Sequence, residues 1–369
     1  MSAPTFPKSI LYYVPFTISN SEATATPAPF QQYVNVNPSL YTAYLASNLS
    51  NVQWFDASGN VISSWLESGN SNTATSAVYW LKIANGIPAS SSITVYMGLA
   101  ATTANLFNNT TTGEAPQLSG TYGEYDNGTV VFSTLYDNFA GTSLGSLWNS
   151  QNGGVTKFAV NNSLQIVSDY NSTQASVVSK SSFSVPAIAE AYVITAAWSA
   201  GGPTLRAMCV ADTNTFTSCS YGGFQYGNNY QVSDNDTSSN NPSLNSGTSA
   251  CGGANVATST KSMPGVVGIA WIATGSETTY YNDEVDLVAT DASLTAPSDF
   301  YIYMGCGSGG GGAGGLTWQW VRVRALPPSN AMPSQTAGSL AKVSAVIVPP
   351  AIKTLRYNVA EIMNKLILP

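Results

Sequence analysis

From Ser9 to Pro327 one pattern recurs: a short run rich in β-branched and aromatic residues, then a cluster of Gly, Asn, Asp, Ser or Pro. Runs this short, bounded by turn formers, read as strands. Apart from a short helix expected at Tyr41–Asn48, no helical period interrupts them before Ala351. Many short strands without helices between them can bury their apolar faces only by packing sheet on sheet. The expected fold class is therefore all-β: two β-sandwich domains of jelly-roll or concanavalin-like type in tandem, plus a short C-terminal α-helix. The expected boundaries are 1–128, 129–328 and, for a linker and docking helix, 329–369.

In the first region Ile10–Ile18 reads as a strand. Gln53–Ile62 reads as a hairpin whose strand ends at Asp56 and whose turn is Ser58-Gly59-Asn60. Ala77–Ala84 and Ser92–Gly98 are two further strands, and Phe107–Asn127 reads as a connector. Ten strands are expected in the second region, among them Val130–Leu135, Ala189–Ala197, Gly265–Ile272 and Thr317–Val323. Gly307–Gly315 holds seven glycines but is followed by a Trp-rich strand and no Lys-Ser/Thr, so it does not cradle phosphate.

Composition narrows the function. Only 8% of residues are charged, the formal net charge is −7, and there is no histidine. Tracking a phosphate backbone needs clustered Lys and Arg, so nucleic acid is not an expected partner. Histidine general bases and histidine-ligated metals are excluded. No apolar run is long enough for a transmembrane helix, and Met1–Asn20 lacks the pattern of a signal peptide. A retained Met1 without an export signal suits a protein assembled inside the cell that makes it.

Several segments resemble known surface proteins. Trp54-Phe-Asp-Ala-Ser-Gly-Asn, Val78-Tyr-Trp-Leu-Lys-Ile-Ala and Ile93-Thr-Val-Tyr-Met-Gly98 resemble an uncharacterised domain that opens many archaeal and bacterial surface proteins. Gly113-Glu-Ala-Pro-Gln-Leu-Ser119 and Tyr122-Gly-Glu-Tyr-Asp-Asn-Gly128 look like the segment that follows it in archaeal members. Tyr136-Asp-Asn-Phe-Ala-Gly-Thr-Ser-Leu144, Trp148 and Trp318-Gln-Trp-Val-Arg-Val-Arg324 are similar to a concanavalin A-like lectin/glucanase sandwich. The resemblance spans about Leu11–Pro327. It implies an archaeal, surface-exposed β protein with glycan or surface binding as its role.

Laminarinase-like glycosidases on that sandwich carry Glu, Asp and Glu at alternating positions of one strand. Here Glu284 and Asp286 are followed by Ala289 where the second glutamate belongs, so the acid/base partner that retaining hydrolysis needs is missing. The better reading of Thr278–Thr290 is a hairpin turning at Asn282-Asp283, and the chain is expected not to be an enzyme. Lectin-type sandwiches also hold Ca²⁺ on Asp, Asn and backbone oxygens. Asp137, Asn138, Asp283 and Asp286 are the donors that present themselves, although ordinary turn carboxylates explain them equally, and no cofactor is required.

Tyr221, Phe224, Tyr226 and Tyr230 interleave rings with glycines and amides and form a candidate glycan-binding run; the same run suits a core strand. Cys209, Cys219, Cys251 and Cys306 are candidate disulfide partners, with Cys209–Cys219 flanking a turn. Asn48, Asn108, Asn109, Asn127, Asn161, Asn171 and Asn235 open glycosylation sequons. Ile352, Leu355, Val359, Ile362 and Leu366 recur at helical spacing and form an apolar stripe expected to dock in a homo-oligomer or larger assembly. A chain ending at Met332 is expected to keep its fold and lose assembly. Together these features point to a virion spike, turret or tail protein of an archaeal virus that binds host glycan or protein at the virion surface. The alternatives are an archaeal cell-envelope or filament adhesin and, less favoured, a glycoside hydrolase.

Overall fold

The computed structural model describes residues 4–344 except for segments of the second sandwich: 153–157, 169–174, 199–204, 215–216, 219–223, 226–228, 235–242, 248–253, 262, 274–275, 291–297 and 307–313. The apolar stripe from Ile352 to Leu366 lies outside the described residues. The all-β expectation holds for what is described.

Seven strands start the first sandwich: β1 (Tyr12–Asn20), β2 (Phe30–Val36), β3 (Val52–Phe55), β4 (Ser64–Ser68), β5 (Ala77–Ile83), β6 (Ser91–Leu99) and β7 (Thr112–Glu114). β1, β6 and β3 pair in one sheet, and β2, β5, β4 and β7 in the other. Period-two alternation drives the burial: Val14, Phe16 and Ile18 of β1 turn inward and meet Val34, Trp54, Leu81 and Met97. The Asp56 turn forms as expected. Its carboxylate accepts from the backbone N–H groups of Ser58 and Asn60, both at 2.9 Å, and Gly59 takes the left-handed φ of +84° that the turn requires.

Two local expectations change. Tyr41–Asn48 is not the helix; a 3₁₀ segment runs earlier, over Pro38–Tyr44, entered at the proline. Val130–Leu135 is not a strand. Gly128–Val131 winds into one helical turn, α1, because the Asp126 carboxylate accepts from the Gly128 N–H at 2.9 Å and the Asn127 amide donates to the Ser64 carbonyl at 3.1 Å.

The second sandwich comprises β8 (Leu135–Asp137), β9 (Trp148–Asn152), β10 (Phe158–Val160), β11 (Leu164–Ser168), β12 (Ala175–Ser179), β13 (Phe183–Ser184), β14 (Ala187–Trp198), β15 (Leu205–Ala211), β16 (Thr217–Ser218), β17 (Phe224–Gln225), β18 (Asn229–Asp234), β19 (Ser243–Gly247), β20 (Ala254–Thr258), β21 (Gly265–Ala273), β22 (Ser276–Tyr281), β23 (Glu284–Thr290), β24 (Asp299–Cys306) and β25 (Gly314–Ala325). One sheet runs β10-β11-β25-β14-β21-β22-β23, with β8 also on β25. The other runs β20-β19-β18-β15-β24-β12-β9, with β13 also on β24. Between them lie Ile166, Val193, Met208, Ile269, Trp271, Ile302 and Trp318.

The chain then returns to its start. β26 (Ser334–Ala337) and β27 (Ala341–Lys342) add to the free edge of β1, on either side of Pro15. The segment read from the sequence as a linker thus completes the first sandwich through Lys342. Pro15 explains the interruption: its carbonyl accepts from Gly338 N–H at 2.7 Å, but it has no N–H to give back. A chain cut at Met332 would lose this edge and the Gln32 bond to the Pro333 carbonyl. We therefore expect truncation at Met332 to lower the melting temperature and truncation after Ser344 to leave it within a few degrees of the full chain, as thermal unfolding by circular dichroism would read.

Candidate functional site

The first sandwich turns one sheet face toward the second, and so does the sheet that contains β25. Alternation along β25 puts Trp320, Arg322 and Arg324 on this face and Val321 and Val323 in the second sandwich's own core, and an irregularity in the pairing with β14 at Gln319 turns Trp318 to that core as well. Trp65 on β4, Trp80 on β5 and Phe132 meet them from the other side, and Tyr136 on β8 lies beside Arg322 in the same sheet. The guanidinium of Arg322 lies 4.5 Å from the Trp80 ring centre, 4.7 Å from those of Phe132 and Trp320, and 5.7 Å from that of Trp65. Arg324 lies over Trp80 at 4.9 Å and Tyr280 at 5.3 Å.

Three carboxyl groups converge on these two cations. Arg322 donates from Nε to Glu190 at 2.7 Å, from Nη1 to Glu67 at 2.5 Å, and from Nη2 to Asp283 at 2.6 Å. Arg324 donates from Nε and Nη2 to the other Glu190 oxygen at 2.9 and 2.6 Å. Glu67 belongs to the first sandwich and the other four to the second, so Arg322 ties the two together. Trp80 Nε1 donates to the same Glu67 oxygen as Arg322, at 2.8 Å. Burial pushes the Asp283 carboxyl well above the usual carboxylate range, and the nearby Glu67 charge pushes it the same way against Arg322. Glu190 is also buried, yet its two arginine partners hold it below its ordinary value. Three carboxyl groups and two guanidinium groups thus share one buried cluster, in which each charge depends on its partners.

Asp283 is held by its turn. Asn282 and Asp283 have φ of +48° and +69°, the two left-handed positions of a tight hairpin turn, where the sequence places Asn-Asp. Asn282 N–H donates to the Val266 carbonyl at 2.8 Å, and its side-chain oxygen accepts from Val266 N–H at 3.0 Å. The hairpin expected at Thr278–Thr290 is therefore present, and it aims the Asp283 side chain, 3% exposed, into the cleft.

Two cavities open on this cluster. The larger, about 520 Å³, is lined by Tyr33, Glu67, Gln117, Tyr192, Asn282, Asp283 and Trp320 among others. The smaller, about 340 Å³, is lined by Tyr33, Tyr280, Asp283, Arg324, Asn330, Met332 and Gln335 among others. Tyr33 and Asp283 border both. Tyr33 on β2 and Tyr192 on β14 bring one ring from each sandwich. Burial, then the charges of Asp283, Glu67 and Glu284, push the Tyr33 hydroxyl up to about 12, so it stays a hydrogen-bond donor. Among the lining residues, Trp320 Nε1 and Gln117 Oε1 at the larger cavity, and Arg324 Nη1 and Gln335 Oε1 at the smaller, are buried without a hydrogen-bond partner.

The sequence candidates fall elsewhere. Tyr221 and Tyr226 lie outside the described residues; Phe224 is on β17, and Tyr230 on β18 pairs with Val210 and Ser246. Cys209 is buried on β15 and Cys306 ends β24, while Cys219 and Cys251 lie outside the described residues, as the pairing therefore does. Asp137 accepts from Trp148 Nε1 at 2.7 Å and Phe139 N–H at 2.8 Å, Asn138 donates to Asp126 at 2.8 Å, and Asp283 faces Arg322. The Asp137 and Asp283 oxygens are thus turned to N–H donors, and among the described residues no three His, Cys, Asp or Glu side chains group as metal ligands. Asn48, Asn109 and Asn161 are exposed, and Asn108 is half-buried with its oxygen turned onto Thr110 and Thr111. Asn127 is corrected: it is fully buried and its amide is spent on Ser64, so no glycan can reach it. Asn171 and Asn235 lie outside the described residues. Tyr33, Tyr192, Glu67, Glu190 and Arg322 were missed. The available signal was Trp320, Arg322 and Arg324 at alternate positions of one strand, in a chain with only twelve Lys and Arg.

No family model matches this chain. A curated relative, the uncharacterized protein 562 of Sulfolobus islandicus rod-shaped virus 1, is 38% identical over 123 residues, which is 33% of this chain and 21% of that protein. The chain thus matches about a fifth of the relative's length. Among solved structures, β-agarase A from Zobellia galactanivorans is similar at 11% identity and a TM-score of 0.41, over 52% of this chain and 90% of that one. The laminarinase from Rhodothermus marinus follows at 15% and 0.37, over 52% and 96%. The Crh5 transglycosylase follows at 11% and 0.39, over 52% and 83%. The likeness is one of fold. The expectation of a non-enzymatic chain is corrected on this finding: the similar structures are named for an agarase, a laminarinase and a transglycosylase. No helix among the described residues is long and apolar enough to cross a membrane.

Proposed function

We propose that this chain is a glycan-binding component of an archaeal virus particle, carried at the virion surface, and that it holds the sugar in the cleft between its sandwiches. One observation carries the reading. The larger cavity joins aromatic rings from both sandwiches, Tyr33, Tyr192 and Trp320, to buried polar atoms that lack partners. Rings match the apolar faces of a sugar, and an unpaired buried donor or acceptor costs about 1–3 kcal/mol that a hydroxyl can relieve. Kinship with a rod-shaped virus protein supports the viral setting over a cell-envelope adhesin. The apolar stripe of Ile352, Leu355, Val359, Ile362 and Leu366 is the part we assign to docking in the particle.

The test is binding of the full chain to a glycan array that includes host envelope glycans, with Tyr192→Ala beside it. We expect a defined set of glycans to bind and the variant to lose them at least tenfold, about 1.4 kcal/mol. Binding that ignores the substitution would overturn the assignment to this cleft. Cleavage of the bound glycan is a second reading, favoured by Asp283, a carboxyl that lines both cavities and that burial raises well above the usual carboxylate range. New reducing ends released by the native chain and absent with Asp283→Asn would establish it; no release would refute it.

A further inference from the structure

The two cavities differ in lining but meet at Tyr33 and Asp283. Both fall within the roughly 300–1,000 Å³ of small-molecule sites. Among the residues that line them, each has one with a buried donor and one with a buried acceptor that the protein leaves unpaired: Trp320 Nε1 and Gln117 Oε1 for the larger, Arg324 Nη1 and Gln335 Oε1 for the smaller. Trp320 and Arg324 are 0% and 1% exposed, so neither group is served by bulk water. A hydroxyl group donates and accepts at once and would satisfy both kinds.

The charges select the ligand further. Glu67 and Asp283 are already paired with Arg322, and Glu190 with both arginines, so the buried cluster offers neither an anion nor a cation an unmatched partner. Tyrosine rings line both spaces, and Pro327, Met332 and Pro333 add an apolar wall to the smaller. A neutral, polyhydroxylated chain with apolar ring faces fits both.

We propose that the cavities are consecutive subsites for one neutral oligosaccharide laid across Tyr33, a reading that rests on the glycan-binding function above. Ligand length is then the measurable variable. The experiment is calorimetric titration of the full chain with β-linked glucose and chitin oligomers from monomer to hexamer. Affinity should rise by at least tenfold from the shortest oligomer that binds to the one that fills both cavities, then level off. Gln335→Ala, which removes the acceptor, and Ser334→Trp, which places a bulky ring at an exposed position on the smaller cavity without removing a packed side chain, should each bring the ratio of long- to short-oligomer affinity toward one. Affinity independent of length in the native chain, or an unchanged ratio in both variants, would overturn the subsite arrangement while leaving the larger cavity as a sugar site. Absence of binding by every oligomer would overturn both for neutral sugars.

Discussion

Replacing Arg322 with methionine should destabilise the protein by about 3–5 kcal/mol, the cost of breaking a buried ion pair from one side. The substitution keeps the length of the side chain and much of its contact with Trp65, Trp80, Phe132 and Trp320. It removes three charge-assisted hydrogen bonds and leaves Glu67, Glu190 and Asp283 around an apolar side chain. Because Glu67 belongs to the first sandwich, the loss falls on the joint between the two. Denaturant unfolding should show a lower midpoint, with the sandwiches melting in separate transitions. One cooperative transition at the native midpoint would show that the aromatic contacts alone hold the joint. Arg322→Lys should recover little, since an ammonium cannot present the planar fork that reaches three carboxyl groups at once.

Acidity should govern stability through the same cluster. The Asp283 carboxyl is raised in the folded state, so its contribution is complete below the unfolded value of about 3.9 and is lost as the pH rises through the folded value. Asp126 and Glu114, raised by burial, act in the same direction. Glu190 acts oppositely. Held low by Arg324 and Arg322, it stabilises above its unfolded value of about 4.3 and loses that contribution as the pH falls through the folded value. The melting temperature should therefore peak in mildly acidic solution, near about pH 4, and decline on both sides. Asp283→Asn keeps an oxygen for Arg322 and cannot ionise, so it should flatten the decline toward neutral pH and leave the acid side unchanged. A melting temperature that rises steadily from pH 4 to 8 in the native chain would contradict the assignment of a proton to Asp283.

How far the sequence reaches can be read from particular elements. The Asp56 turn and the Asn282-Asp283 hairpin were legible because their causes lie within a few residues: a side-chain oxygen on neighbouring N–H groups, and residues that tolerate positive φ. Alternating strands were legible for the same reason. Val130–Leu135 was misread because its composition favours a strand, while the turn at Gly128 depends on Asp126, which Trp65 holds from 61 positions away, and on the Asn127 contact with Ser64. The returning strands β26 and β27 were missed because Ser334–Ala337 is short and polar and becomes a strand only against the open edge of β1.

The candidate site lay further out of reach. Sequence alone determined that this chain makes sheets, that its sheets must pack on one another, and that Trp320, Arg322 and Arg324 share one side of a strand. Only the tertiary structure decided that this side meets another sandwich instead of water. Arg322 and Glu67 are 255 positions apart, and no local pattern links them. Burial there turns two arginines and three acids from ordinary surface charges into a joint, because removal from water makes each charge depend on its partner. The same packing leaves the space between Tyr33, Tyr192 and Trp320 open as a cleft.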